Sequence, residues 1–318
     1  MDAKTLGLVG GVLLLLGTVT MVTRILHLRG GSGIDSAVLD TFRLRIRAWW
    51  LLCTVLAAAF LLGQTVTVLL FGLISFWALR EFITLTPTRP GDHRTLFWVF
   101  FLCTPLQFVL VGLANYELYS ILIPVYAFLF IPARIAMAGD SKRFLERTAK
   151  IQAGLLICVY CFSYAPALLT LELPGEDAGH NARLLFFFVL IVQLADVLQY
   201  AWAQLPSKHV IAPTISPGRT WEGLLGGTAS VTLLGAALWW ATPFSVWLAA
   251  GMSAVIALTG FAGGLTMSAI KRDRGVHDYG TLVEGHGGVL DRIDSLCFAA
   301  PIFFHLTRTW LLIAEPLG

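Results

Sequence analysis

Ten apolar runs, most near the roughly 20 residues that cross a bilayer as a helix, divide this 318-residue chain and leave it few ways to fold. They are Leu6 to Thr23, Ala48 to Gly63, Thr65 to Leu79, Leu96 to Leu113, Leu118 to Ala133, Ile151 to Thr170, Leu184 to Ala203, Leu224 to Ala241, Val246 to Ile270 and Ser295 to Ile313. With 57% hydrophobic and 13% charged residues and a mean hydropathy of +0.78, the chain is far more apolar than a soluble domain, in which about 25% of residues are charged. The sequence predicts an all-α, polytopic membrane protein with about ten spans in one membrane-embedded domain. The second and third runs are short and nearly abut at Gln64, so they read as a tight hairpin or as broken, partly re-entrant helices. The first run has the length of a signal-peptide core, but no small-residue cleavage site follows before Arg24, so it reads as a span.

The loops set the orientation, because cytoplasmic loops collect Lys and Arg. Alternate loops hold 19 of the 22 basic residues, leaving Lys4, Arg183 and Arg308 for the other side. Both termini are therefore expected outside, as is the acidic 171–182 loop with Glu172, Glu176 and Asp177. Loops 204–223 and 271–294 then share the cytoplasmic face, where nucleotides are available. A net charge of +3, with no Lys/Arg-rich tract or aromatic-basic platform, argues against a nucleic-acid partner.

Polar chemistry concentrates between Ser268 and Ser295, which holds Lys271, Arg272, Asp273, Arg274, His277, Asp278, Glu284, His286, Asp291, Arg292 and Asp294. Carboxylates and basic groups around a Gly-His-Gly-Gly turn suit a metal ion held against phosphates. The alternative is a solvated loop, which would not need Gly285, Gly287 and Gly288 around a histidine; these suggest close backbone approach to something bound. A second polar stretch runs from Ile215 to Gly227. There Ser216 is placed to cap a helix beginning at Pro217, with Arg219 and Thr220 in a first turn that favours an anion. Equally, Ser216, Pro217 and Trp221 describe a plain helix start anchored at the interface. Third, Asp196 lies in an apolar run with Gln193, Gln199 and Tyr200 at helical spacing. A carboxylate inside a span is costly and marks a functional site, the alternative being a hydrogen bond to a neighbouring helix. Cys53, Cys103, Cys158, Cys161 and Cys297 all fall in apolar runs and read as small buried hydrophobes.

These residues resemble the phosphatidate cytidylyltransferases, the membrane enzymes that make CDP-diacylglycerol. The likeness rests on Ser268, Lys271, Arg272, Asp278, Gly285-His286-Gly287-Gly288, Asp291-Arg292 and Asp294. Ser216-Pro217, Thr220-Trp221-Glu222-Gly223 and the Asp196 to Tyr200 spacing are similar to two further motifs of that family, in the same order. It covers the chain from about Asp196 onward, so the expected halves are amino-terminal spans at 1–182 and catalytic spans at 183–318.

The resemblance implies CTP and phosphatidic acid, or a related lipid phosphate, as substrates at the bilayer. Mg²⁺ would be held by Asp291 with Asp294 and Asp196, and Asp291, Asp278, His286 and Lys271 would be catalytic. Ser216, Arg219, Thr220, Arg272, Gly287, Gly288 and Arg292 would bind substrate. It also implies an integral protein of a bacterial cytoplasmic membrane, its active site facing the cytoplasm, with a homodimer left open.

Four departures stand out. Gly263-Gly264 replaces a Gly-Asp pair, His277-Asp278 and Glu284-Gly285-His286 replace Lys-Asp and Pro-Gly-His, and Gly218 stands where a basic residue is usual. The expected consequence is a site short of one metal ligand at Gly264 and of two cations. Two other readings remain: a divergent paralogue that acts on another lipid phosphate or serves as a scaffold, and a transporter. Transporters place ionisable groups near mid-membrane at repeat interfaces, whereas here only Asp196 is deep and no internal repeat is visible.

Overall fold

The structure, a computed structural model, describes seven positions between residues 7 and 21, and then 63–85, 88–173, 180–206, 209–280 and 287–314. The second expected run up to Gly63, the basic loop 24–47, and Glu284, Gly285 and His286 lie outside the described residues. From Gln64 onward the chain forms α1 (Gln64–Thr84), α2 (Pro90–Gly112), α3 (Tyr116–Ala136), α4 (Phe144–Thr170) and α5 (His180–Trp202). A small antiparallel hairpin follows, β1 (Val210–Ala212) and β2 (Ser216–Thr220), then α6 (Trp221–Ala237), α7 (Val246–Asp273) and α8 (Leu290–Ala314).

The architecture is the expected all-α membrane bundle. Among the described residues seven helices are long and apolar enough to cross a membrane; the first two of the ten expected runs fall mostly outside those residues. The eighth expected run lies largely on α6, whose 17 residues rise about 26 Å at 1.5 Å per residue, at the short end of the roughly 17–25 residues that span a bilayer. The third run is no broken fragment: α1 continues through Arg80 and Glu81 to Thr84 as one helix of 21 residues. The run looked short because it was cut at the first charge, and in the fold Glu81 is buried.

Three helices carry a widened, π-type turn, at Val99–Cys103, Leu122–Ala127 and Leu156–Cys161. Pro105 follows the first closely and Pro124 lies inside the second. Proline removes an N–H from the helix ladder, and a wider turn re-partners the freed groups; the Thr104 hydroxyl takes up the Val99 carbonyl at 2.9 Å. The carboxyl-terminal helices approach closely for another reason, small residues at their contacts. A Cβ added to Gly227 of α6 would sit 2.5 Å from the Gln199 side chain of α5, and one added to Gly263 of α7 2.7 Å from Phe298 of α8. Backbones pressed together in this way fix polar side chains on α5, α7 and α8 relative to one another.

Among the described residues, the basic loops that follow α1 and α3 meet. Arg147, on the first turn of α4, donates from Nε to both Asp92 oxygens at 3.0 Å and from Nη1 to the carbonyls of Asp140 and Lys142 at 3.0 and 2.9 Å. Arg89 pairs with Asp140 at 3.0 Å. That hydrogen bond, and the Lys142 N–H, hold the Asp140 carboxyl below the usual carboxylate range. The guanidinium of Arg147 and the carboxylate of Asp92 are 4% and 1% exposed, so removing one partner strands a buried charge. Arg147→Met should lower stability by about 3–5 kcal/mol, read as a fall in the thermal unfolding temperature in detergent; an unchanged transition would refute the clamp.

Candidate active site

Helix α7 delivers Lys271 and Arg272 from its last turn, and α8 delivers Asp291, Arg292 and Asp294 from its first two. The expected loop 271–294 is therefore shorter than its sequence limits, because both helices extend into it. Lys271 Nζ donates to Asp291 Oδ1 at 2.8 Å, while Asp291 Oδ2 accepts the N–H groups of Tyr279 and Gly288 at 2.8 and 2.9 Å. One carboxylate thus ties a lysine, the start of α8 and the crossing loop together. Tyr279 pins the loop from beneath: its hydroxyl donates to the Met267 carbonyl at 2.9 Å and its ring stacks on Phe82. Burial pushes the phenol's pKa up and keeps it a donor.

The glycine turn is closely approached, as the sequence suggested, and the approaching groups are the chain's own carboxylates. Gly287 has φ +75, and a Cβ there would lie 2.7 Å from Asp291 Oδ2 and 3.2 Å from Asp278 Oδ1. A Cβ on Gly288 would lie 2.3 Å from Glu81 Oε2. Glu81 reaches across from α1 to accept the N–H of Val289 at 3.0 Å and of Leu290 at 2.8 Å. These are orphan donors at the start of α8, and the helix dipole favours a negative charge beside them.

A second group lies along α5, α7 and α8. The Ser295 hydroxyl is 3.0 Å from Asp196 Oδ1 and 3.4 Å from Asp294 Oδ1, so it draws two carboxylates from helices distant in sequence to one point. Arg219 lies within electrostatic range of Asp294, as does Lys271. Its Nη1 donates to the Phe261 carbonyl at 3.1 Å, and the guanidinium carbon is 4.8 Å from the centre of the Phe261 ring. On the hairpin side, Arg272 donates to the Ile215 carbonyl at 3.2 Å and to His277 Nδ1 at 2.8 Å.

The Ser216 stretch needs correction. Residues Ser216–Thr220 form strand β2, not the first turn of a helix, and the helix starts at Trp221. Thr220, in extended backbone, is the cap: its hydroxyl accepts the Gly223 N–H at 3.0 Å. A capping hydroxyl four residues beyond Ser216, and Glu222 in the first turn taking the His209 N–H, outcompete a start at Pro217. Ser216 and Arg219 thereby leave the helix terminus, and Arg219 points back toward α7.

The site therefore gathers Lys271, Asp278, Asp291, Gly287 and Gly288 in one cluster and Asp196, Asp294 and Arg219 in a second. Arg292 sits on the α8 turn that carries Asp291, Thr220 is a buried cap, and His286 lies outside the described residues. Glu81 and Ser295 escaped the sequence reading. A carboxylate placed directly after the third apolar run was the one signal for Glu81, and its partners lie 208 residues away.

Among the described residues no group of three or more histidine, cysteine or carboxylate side chains is arranged to hold a metal ion. Asp196 and Asp294, meeting at one hydroxyl, fit the one or two carboxylates that Mg²⁺ uses when phosphates and water complete its shell. Asp291 is differently placed, its oxygens engaged by Lys271 and two N–H groups.

The sequence pattern of the cytidylyltransferase family matches residues 43–310, and the chain belongs to that family. It is 36% identical over 269 residues, 83% of this chain and 87% of the relative, to the uncharacterized protein YnbB of Escherichia coli (strain K12). Phosphatidate cytidylyltransferases of Staphylococcus aureus (strain COL) and Mycobacterium leprae (strain TN) are 35% identical over 129 and 174 residues. Those matches cover 40% and 54% of this chain, and the chain spans about half of each enzyme, 50% and 53%. With seven apolar helices of spanning length among the described residues, the chain is an integral membrane protein of a nucleotidyl-transferring family.

Glu81 offers a test of how the site is held. Glu81→Ala leaves two N–H groups at the α8 start without an acceptor and should cost about 2–4 kcal/mol, lowering thermal stability in detergent. Glu81→Gln, which keeps one acceptor oxygen, should cost less. Equal stability of the wild type and Glu81→Ala would remove Glu81 from the account.

Proposed function

We propose that the protein transfers a cytidylyl group from CTP to phosphatidic acid or a related lipid phosphate, forming CDP-diacylglycerol or its analogue and pyrophosphate. Family membership supports the class of reaction. The observation that carries the assignment is the gathering, at one end of a membrane bundle, of a carboxylate pair, Asp196 and Asp294, with Lys271 and Arg219 in electrostatic range. Two polyanions must meet at the bilayer surface, so cations have to lower the charge of both. The lipid phosphate oxygen attacks the α-phosphorus of CTP; a P–O bond forms there, the bond to the bridging oxygen breaks, and pyrophosphate leaves with the electron pair.

Lys271 is held at a fixed position by Asp291 and binds phosphate from there. Arg272, in the last turn of α7, and Arg292, in the first turn of α8, add charge around the same substrate, and His286 with Gly287 and Gly288 borders the nucleotide. Asp278, beside Gly287, supports that turn. When bound at Asp196 and Asp294, Mg²⁺ supplies charge neutralisation and Lewis acidity at the phosphates. The protein resides in a bacterial cytoplasmic membrane with the polar end facing the cytoplasm, an orientation supported by the loop charge bias. Another lipid phosphate is the second reading: the relative matched over 83% of this chain is itself uncharacterized, and likeness to the phosphatidate cytidylyltransferases of S. aureus and M. leprae covers 40% and 54%.

The test is CDP-lipid formation by purified protein from labelled CTP with a panel of lipid phosphates. Asp294→Asn should lose at least about 100-fold in rate while remaining inserted. In sealed vesicles that display the basic loops inward, external CTP should give no product. A fully active Asp294→Asn variant would overturn the site, and product from external CTP would overturn the orientation.

A further inference from the structure

Gly264 leaves a gap on one face of α7, and the structure shows what fills it. A Cβ built on Gly264 would lie 2.1 Å from Nη2 of Arg219 and 3.0 Å from its Cζ. The guanidinium is fastened there by the Phe261 carbonyl at 3.1 Å and by the face of the Phe261 ring, whose centre is 4.8 Å from its carbon. These contacts lie one turn apart on α7, at 261 and 264, so Arg219 lies flat across the helix rather than extending into water. On the same face, a Cβ on Gly260 would sit 3.4 Å from Ser295 Cβ, and the Ser295 hydroxyl is the group that joins Asp196 and Asp294. Arg219 therefore lies one turn along α7 from the glycine that meets Ser295, within electrostatic range of Asp294. No side chain larger than hydrogen at 264 leaves room for it.

We propose that Gly264 is a seat for Arg219, whose guanidinium is a built-in cation of the Asp196–Asp294 site and opposes a divalent ion there. The inference rests on the reading of Asp196 and Asp294 as the metal-holding pair. The guanidinium lowers by one unit the negative charge that the pair presents to an incoming metal, while a polyphosphate meets a guanidinium already in place. Metal and nucleotide should therefore respond to Arg219 with opposite signs, an outcome that a purely structural contact would not produce.

The experiment measures Mn²⁺ binding by electron paramagnetic resonance, and separately CTP binding in the presence of EDTA, on full-length protein in lipid nanodiscs. Arg219→Gln should tighten Mn²⁺ by about tenfold, the size set by one neighbouring charge at an effective interior dielectric, and should weaken metal-free CTP binding. Gly264→Ala, whose methyl displaces the guanidinium and adds no charge, should shift both quantities the same way; it carries the test alone if Arg219→Gln does not insert. Asp294→Asn should weaken Mn²⁺. Mn²⁺ affinity unchanged or reduced in Arg219→Gln and Gly264→Ala, with Asp294→Asn still weakening it, overturns the role of Arg219 and leaves the metal pair standing. Mn²⁺ binding indifferent to Asp294→Asn overturns the pair and the inference with it.

Discussion

Glu81 accepts hydrogen bonds from the N–H groups of Val289 and Leu290, and the geometry of the polar end follows from that contact. The start of α8 is otherwise an unsatisfied, partly positive helix terminus. A carboxylate from α1 closes it and presses the Gly287-Gly288 turn against the bundle, where a side chain would collide with Glu81 and Asp291. With the turn fixed, Asp291 can reach both Gly288 and Tyr279, and its second oxygen holds Lys271. The anion site offered by this helix terminus is thus filled from within the chain, and substrate phosphates are left to side-chain cations.

That arrangement explains which parts of the molecule could be read from sequence. Apolar runs of span length made the helical bundle legible, and Lys271, Asp291 and Asp294 stood out because ionisable groups are rare in such a chain. Span limits failed where charge was taken as the membrane edge: Glu81 is buried inside the fold, so α1 runs past it. The hairpin failed for a local reason. Pro217 at helix position N1 and an extended strand ending at Thr220 are both compatible with Ser-Pro-Gly-Arg-Thr, and only the pairing with Val210–Ala212 selects the strand. Partners separated by 99 residues, as Ser295 and Asp196 are, leave no trace in a single sequence.

The two polar groups divide the work expected of a cytidylyltransferase. Around Asp291 the carboxylate is spent on protein contacts and the lysine is positioned; around Asp196 and Asp294 the carboxylates meet at a hydroxyl, with Arg219 close by. Close packing is what makes this possible. Glycines on α6 and α7 bring α5, α7 and α8 near enough for short side chains to meet, so replacing Gly227 or Gly263 would move the site's walls before touching its chemistry. Polar precision here is a consequence of backbone proximity, since the hydrocarbon surroundings supply no drive of their own between helices.

Equilibrium binding of CTP to the protein in lipid nanodiscs with Mg²⁺ shows whether this polar end is a cytidine nucleotide site. Saturable binding is expected, tighter for CTP than for ATP and weakened at least about tenfold by Lys271→Met, the effect of removing one positioned phosphate contact. Absence of saturable binding, equal affinity for CTP and ATP, or a Lys271→Met variant that binds CTP like the wild type would contradict that assignment.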